Sequence, residues 1–129
     1  FENGLVKDTF KAAVIKREKG FPTGLKMPNI SVAIPHTDAE HVIKSQVIVA
    51  KLKHPIEFRE MGMTDSETSV NYVFLLILKN EGHQVYLLQN LMSLCSDAKS
   101  ALALIDANSS TEIYKIINDY YLAHDNQKD

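Results

Sequence analysis

The chain has one cysteine, Cys95, in 129 residues, so no internal disulfide framework is possible and a reducing compartment fits best. No apolar run approaches the ~18 residues of a membrane-spanning helix, and no signal-like hydrophobic segment is present. The expectation is a soluble, cytoplasmic protein with no direct membrane insertion. Neither sign of charge dominates: 14 Lys and Arg stand against 16 Asp and Glu, a formal net charge of -2. A sequence-independent grip on nucleic acid or anionic lipid is therefore not expected. Walker and GxGxxG loops are absent, so nucleotide binding has no support. "HTDAEH" supplies His36, Asp38 and His41, but there is no second histidine pair, no HExxH and no cysteine ligand beside it. No metal and no cofactor are expected. Internal repeats and low-complexity tracts are also missing.

What is present suffices for one core. Hydrophobic residues make up 45% of the chain, which predicts a single domain over residues 1–129. The chain starts at Phe1 without an initiator methionine and reaches a helix-like segment almost at once, so an N-terminal segment of the natural protein is expected to be missing.

Asp8 is the expected N-cap of a helix through "TFKAAVIKREKG", closed by Gly20. Phe10, Ala13 and Val14 share one face, and Arg17 falls on that same face, where a cation is out of place. "FPTGLKMPN" reads as a loop. In "NISVAIPHTD" the alternation of Ile30, Val32 and Ile34 has the period of a strand. Pairing should end at Pro35, leaving His36 at the open mouth of the sheet. "SQVIVAKLKHPI" is apolar on both faces and predicts a central strand ended by Pro55. "EFREMGMTDSET" should be a connection, and "VNYVFLLILK" a strand buried on both faces. In "GHQVYLLQNLMSLCSD", Leu87, Leu88, Leu91 and Leu94 recur at helical spacing, and His83 starts their stripe. "ALALIDA" is either a helix extension or a short edge strand. Ser109 and Glu112 have capping-box spacing before a last amphipathic helix bearing Ile113, Ile116, Ile117 and Tyr120. The sum is an α/β fold, a mixed β-sheet flanked by helices on both sides.

Three residues lack a comfortable structural reading: His36 at a strand end, Arg17 on an apolar face, and His83 at a helix start on its packed side. Each alone has an ordinary explanation, a satisfied turn histidine or an arginine whose stem lies on apolar surface with its head in water. A partly desolvated guanidinium nevertheless needs an anion, either a carboxylate or a ligand. A histidine at a helix N-terminus is disfavoured as imidazolium, and the same terminus favours phosphate. Two neutral imidazoles and a guanidinium in one pocket would suit a nucleophilic histidine carrying a phosphoryl group. Cys95, inside the leucine-rich helix with no basic neighbour, reads as a buried structural thiol. His41, His54 and His124 lie in polar contexts and read as surface residues. Asp38 and Glu40 either cap a turn or orient the His36 ring.

"REKGFPTGL", then "SVAIPH", then "GHQVYLLQNL" after an apolar strand closely resemble the fructose/mannitol-type enzyme IIA domains of the bacterial sugar phosphotransferase system. The resemblance runs from Gly4 to Tyr121. It implies a mixed sheet flanked by helices, with a further helical segment before the point where this chain begins. It also implies a phosphocarrier in which His36 accepts a phosphoryl group from phospho-HPr and passes it to a cysteine of enzyme IIB, indirectly serving the membrane IIC permease. His83 and Arg17 match the family's second histidine and its arginine, and neither cofactor nor metal is implied. His36 should then lie in a shallow depression ringed by apolar residues, open to two partners in turn. Two departures are a longer loop containing "MPN", and Thr37 where mannitol-type domains usually have glycine. "PHTD" with "HPIEFREMG" looks like the galactitol-type branch. A nitrogen-type IIA, or the IIA domain of a transcriptional regulator, would keep the same site and signal through its phosphorylation state. A binding module without chemistry is a third reading.

Overall fold

A computed structural model describes residues 4–62, 66–80 and 82–124, apart from the side chains of residues 83, 84, 123 and 124. The described elements run α1 (Phe10–Gly20), β1 (Gly24–Lys26), β2 (Ser31–Ala33), a 3-10 turn (Ala39–His41), β3 (Gln46–Arg59), β4 (Glu67–Ile77), α2 (Gly82–Ser96), α3 (Ala98–Asp106) and α4 (Ser110–His124). The strands form one sheet in the order β1-β2-β4-β3. β2 and β4 are parallel and the other neighbours antiparallel, which makes the sheet mixed as expected.

Strand β4 organises the core. Thr68, Val70, Tyr72, Phe74 and Leu76 are buried at the two-residue period of a strand. Tyr72, Phe74 and Leu76 pack with Leu91, Leu94 and Cys95 of α2, Ala101 and Leu104 of α3, and Tyr120 of α4. Ile77 and Leu75 join a second cluster with Phe10 and Val14 of α1, and with Val6 and Val42. Helices therefore cover both faces of the sheet. No described helix is long and apolar enough to cross a membrane.

Several local expectations change. Thr9, not Asp8, occupies the N-cap of α1, and its side chain caps nothing. Its hydroxyl instead bonds His41 Nδ1 at 2.7 Å, which makes His41 a half-buried tie rather than a surface residue; His54 is exposed, and the side chain of His124 lies outside the described residues. β2 stops at Ala33, yet Leu76 N–H donates to the Pro35 carbonyl at 3.0 Å, because proline lacks only the donor. β3 runs through Pro55 and is an edge strand, not a central one. Its pairing jumps from Lys51↔Tyr72 to Ile56↔Val70, and the proline falls within that irregularity, where an edge strand tolerates it. The ends of "EFREMGMTDSET" pair as Arg59↔Glu67 and Phe58↔Thr68, while residues 63–65 lie outside the described residues.

"ALALIDA" belongs to α3, whose N-cap Asp97 accepts from Ser100 N–H at 3.1 Å. At α4, Ser109 Oγ accepts from Glu112 N–H at 3.2 Å, and the Glu112 carboxylate reaches Asn108 N–H, one residue before the capping-box partner. Leu91 and Leu94 are buried and Leu87 and Leu88 half-buried, so the leucine stripe is the packed face of α2.

The buried phenol and thiol give the core an alkaline limit. Burial pushes the Cys95 thiol from 9.0 up to about 11 and the Tyr72 hydroxyl, which donates to the Leu104 carbonyl, from 10.0 up to about 12. Both groups are neutral when protonated, and the folded chain holds the proton more tightly than the unfolded one. Their contribution is therefore complete below about pH 9 and is lost as pH rises through about 11 and then about 12. The thiol alone should account for a decline of about 2–3 kcal/mol across its window. Denaturant titrations from about pH 8 to 11 should show the decline, with a flatter slope in Cys95→Ala; an equal slope in that variant would assign the effect elsewhere.

Candidate active site

The parallel pairing of β2 with β4 brings the C-terminal ends of these strands to the same end of the sheet. The chain leaves β2 through Ile34 and Pro35, the Pro35 carbonyl docks on β4, and His36 follows. The side chain is delivered where the sequence predicted, but not into open space: His36 is only 8% exposed. Its Nδ1 lies 2.8 Å from the Ile34 carbonyl oxygen. A carbonyl oxygen can only accept, so Nδ1 donates; in the neutral ring the hydrogen is on Nδ1 and the lone pair on Nε2. The ring nitrogen with a lone pair available for chemistry is therefore Nε2.

Arg17 reaches the same loop from α1. Its Nη1 is 3.7 Å from Asp38 Oδ1, and its guanidinium carbon is 5.3 Å from the centre of the Phe21 ring. The anion for this guanidinium is therefore a carboxylate two residues after His36. Asp38 stands at the N-cap of the 3-10 turn but its side chain caps nothing. The pair is largely solvated, with Arg17 35% and Asp38 61% exposed at the side chain, and contacts of this kind contribute about 0–1 kcal/mol. Arg17 Nε is buried with no hydrogen-bond partner among the described residues, so the cation retains an unused donor. The pair could exchange its carboxylate for another anion at small cost.

His83 is the second residue of α2, the helix that follows the C-terminal end of β4. Parallel β2 and β4 therefore place its helix start at the end of the sheet that carries His36; the His83 side chain lies outside the described residues. His36, Asp38 and His41 take different partners, namely the Ile34 carbonyl, Arg17 and Thr9. Among the described residues no group of three or more His, Cys, Asp or Glu is placed to hold a metal ion.

Two polar residues were missed by sequence reasoning. Glu18 accepts the Thr23 N–H at 2.8 Å on one carboxylate oxygen and the Thr23 hydroxyl at 2.7 Å on the other. Thr23 Oγ1 in turn accepts the Ile34 N–H at 3.2 Å, and Thr23 is buried. Their only signals were a carboxylate beside Arg17 in "RE" and a threonine before glycine in "FPTG". Gly24 is needed for a different reason: a Cβ there would lie 2.7 Å from the Arg59 carbonyl oxygen. The end of β3 laps closely over β1 at this point, and Met61 N–H donates to the Gly24 carbonyl at 2.8 Å. Val14, Ile15, Pro35 and Phe58 border a groove of about 410 Å³ there, and Phe21 nearby is 68% exposed. Glu18, Lys19, Glu57 and Arg59 complete the lining of the groove and His36 is not part of it, so this groove is not the apolar ring expected around His36.

The family model described as phosphoenolpyruvate-dependent sugar phosphotransferase system, EIIA 2, matches residues 1–120. The galactitol-specific EIIA component of Escherichia coli (strain K12) is 34% identical over 86 residues, 67% of this chain and 57% of that protein. The chain thus spans little more than half the length of these curated relatives. The transcriptional regulator ManR of Bacillus subtilis (strain 168) is 31% identical over 81 residues, 63% of this chain and 11% of that protein. In a solved complex of enzyme IIAMtl with phosphorylated enzyme IIBMtl from Escherichia coli, the similar chain superposes with a TM-score of 0.69 at 22% identity, covering 92% of this chain and 78% of that one. At that identity the likeness is one of fold.

Proposed function

The chain belongs to the EIIA 2 family of the phosphoenolpyruvate-dependent sugar phosphotransferase system, and from that premise we propose that residues 1–129 form a cytoplasmic carrier domain whose phosphoryl group rides on His36. The donor is phospho-HPr and the acceptor the cysteine of an enzyme IIB, which serves a membrane IIC permease. The carried substrate system is of the galactitol type, in keeping with the similarity to galactitol-specific EIIA components. The observation that supports the reading most directly is the Nδ1 contact with the Ile34 carbonyl, which leaves Nε2 as the nucleophile.

In the first half-reaction the Nε2 lone pair forms a bond to phosphorus as the bond from phosphorus to the donor histidine nitrogen breaks. In the second, the IIB thiolate forms a bond to the same phosphorus and the electron pair returns to Nε2. Negative charge spreads over the three equatorial oxygens in both steps, so donors held in place serve both directions. Arg17 is the cation assigned to these oxygens: it exchanges its solvated contact with Asp38 for the phosphoryl group. His83, at the start of α2, is assigned the second set of donors.

Incubation with enzyme I, HPr and phosphoenolpyruvate should place one acid-labile phosphate on His36, and a galactitol-type IIB should then discharge it. Failure of the chain to accept phosphate under these conditions would overturn the carrier assignment. His83→Ala should keep phosphorylation at His36 and slow discharge to IIB by about tenfold or more, since single preset donors at developing charge are worth at least that much. Unchanged discharge kinetics would remove His83 from the site.

The similarity to ManR supports a second reading, an IIA domain that signals its phosphorylation state to other proteins. Discharge to a galactitol-type IIB favours transport, whereas stable phosphorylation without discharge favours signalling.

A further inference from the structure

The polar chain behind His36 runs from the half-buried Glu18 carboxylate through the buried Thr23 hydroxyl to the peptide that holds the ring. Glu18 uses both oxygens on Thr23, one for its N–H and one for its hydroxyl. The hydroxyl hydrogen is thereby committed to the carboxylate, and the lone pairs of Thr23 Oγ1 face the Ile34 N–H, 3.2 Å away. Ile34 is next held on its other side. Its carbonyl belongs to the peptide with Pro35, whose φ is restricted by its ring, and the Pro35 carbonyl is tied to Leu76 N–H at 3.0 Å. The Ile34 carbonyl can therefore swing little, and it is this oxygen that takes the His36 Nδ1 hydrogen.

We propose that Glu18 and Thr23 are positioning residues that, by fixing the Ile34 carbonyl, keep the His36 hydrogen on Nδ1 and so present Nε2 as the acceptor of the phosphoryl group. The opposite tautomer would set the Nδ1 lone pair against a carbonyl oxygen that cannot turn away. Glu18 is next to Arg17 in α1, so one turn of helix supplies both the cation for the phosphoryl oxygens and the anchor for the nucleophile. A displacement of either would be felt at the other, and reacting atoms misplaced by even about 1 Å lose rate steeply. The rate part of the proposal rests on the carrier reading; the tautomer part does not.

Thr23→Val removes the hydroxyl at nearly constant shape. Long-range 1H–15N spectra of the His36 ring should show one tautomer, hydrogen on Nδ1, in the natural protein, a mixture in Thr23→Val, and the single tautomer again in Thr23→Ser. The rate of phosphorylation by phospho-HPr should fall about tenfold in Thr23→Val and recover in Thr23→Ser. A folded Thr23→Val that keeps the single tautomer and phosphorylates within about twofold of the natural rate would overturn the proposal. Should Thr23→Val not fold, Glu18→Gln carries the same test: an amide NH2 replaces one of the two oxygens that hold Thr23 and sets a donor against a donor, so the same mixture and slowing are expected, and their absence overturns the proposal equally. A natural protein that shows the single tautomer but accepts no phosphate defeats the carrier reading while leaving the positioning role intact.

Discussion

His36→Ala should lose phosphoryl acceptance from phospho-HPr by a factor above about 10³, because the variant retains the charge and shape around the site but has no nucleophile. The other described imidazoles offer no substitute. His41 is held by Thr9 at 2.7 Å, and His54 is an exposed residue of edge strand β3. The fold should survive the change. His36 contributes one buried hydrogen bond, to the Ile34 carbonyl, and leaving that acceptor without a donor costs about 1–3 kcal/mol, within the margin of an ordinary domain. Unfolding should therefore remain cooperative at a modestly lower midpoint while labelling disappears. A folded His36→Ala chain that still accepts phosphate at the full rate would remove His36 from the chemistry.

The largest effect on stability is expected at Phe74. Its side chain has no exposed surface, lies at the middle of β4 opposite Val49, and stacks with Tyr72 at a ring separation of 6.2 Å. Phe74→Ala should cost about 3–5 kcal/mol, the transfer of the ring plus the cavity left behind. That is a large share of the ~5–15 kcal/mol that stabilises a typical domain. Collapse around the site sets where in the range the value falls. Phe74 also borders an apolar groove of about 740 Å³, with Val47, Val49, Leu87 and Leu91, so the cavity would open onto space that already exists. Neighbours on the groove side can move in, which places the expected cost near the lower bound. Urea unfolding would show a lower midpoint with an unchanged slope, and a loss under about 1 kcal/mol would show that the neighbours refill the site almost fully. Phosphorylation should fall only as far as the folded fraction falls, because Phe74 belongs to the core cluster with Leu91 and Leu94 and supplies no group to the site.

Much of the site was legible in the chain. His36 was expected directly after a strand, Arg17 on an apolar helix face, and His83 at the start of the leucine-striped helix. Each expectation rested on a local rule: a two-residue period broken by proline, or a cation on an otherwise apolar 3.6-residue stripe. The partner of Arg17 was open between a carboxylate and a ligand. Proximity to Asp38 answers that for the described chain, since the loop after His36 and the end of α1 meet only when the sheet has formed. Glu18 and Thr23 were passed over because a carboxylate at a helix end and a threonine in a loop are ordinary residues there. What distinguishes them is a relay: Glu18 holds Thr23, and Thr23 Oγ1 accepts from the N–H of Ile34, eleven positions after Thr23.

Local periodicity by itself determined the alternation of strands and helices, the α/β class, the two covered faces of the sheet and the residue types gathered at its end, since turn geometry and strand pleat are properties of a few neighbouring residues. Tertiary structure alone decided which strand lies at the edge, that Pro55 is tolerated inside β3, that His36 is buried, and which ring nitrogen holds its hydrogen. Those outcomes depend on pairing across the chain. An apolar strand reads the same whether it has one neighbour or two, and an imidazole is committed to one tautomer only when a carbonyl from the fold is set against it.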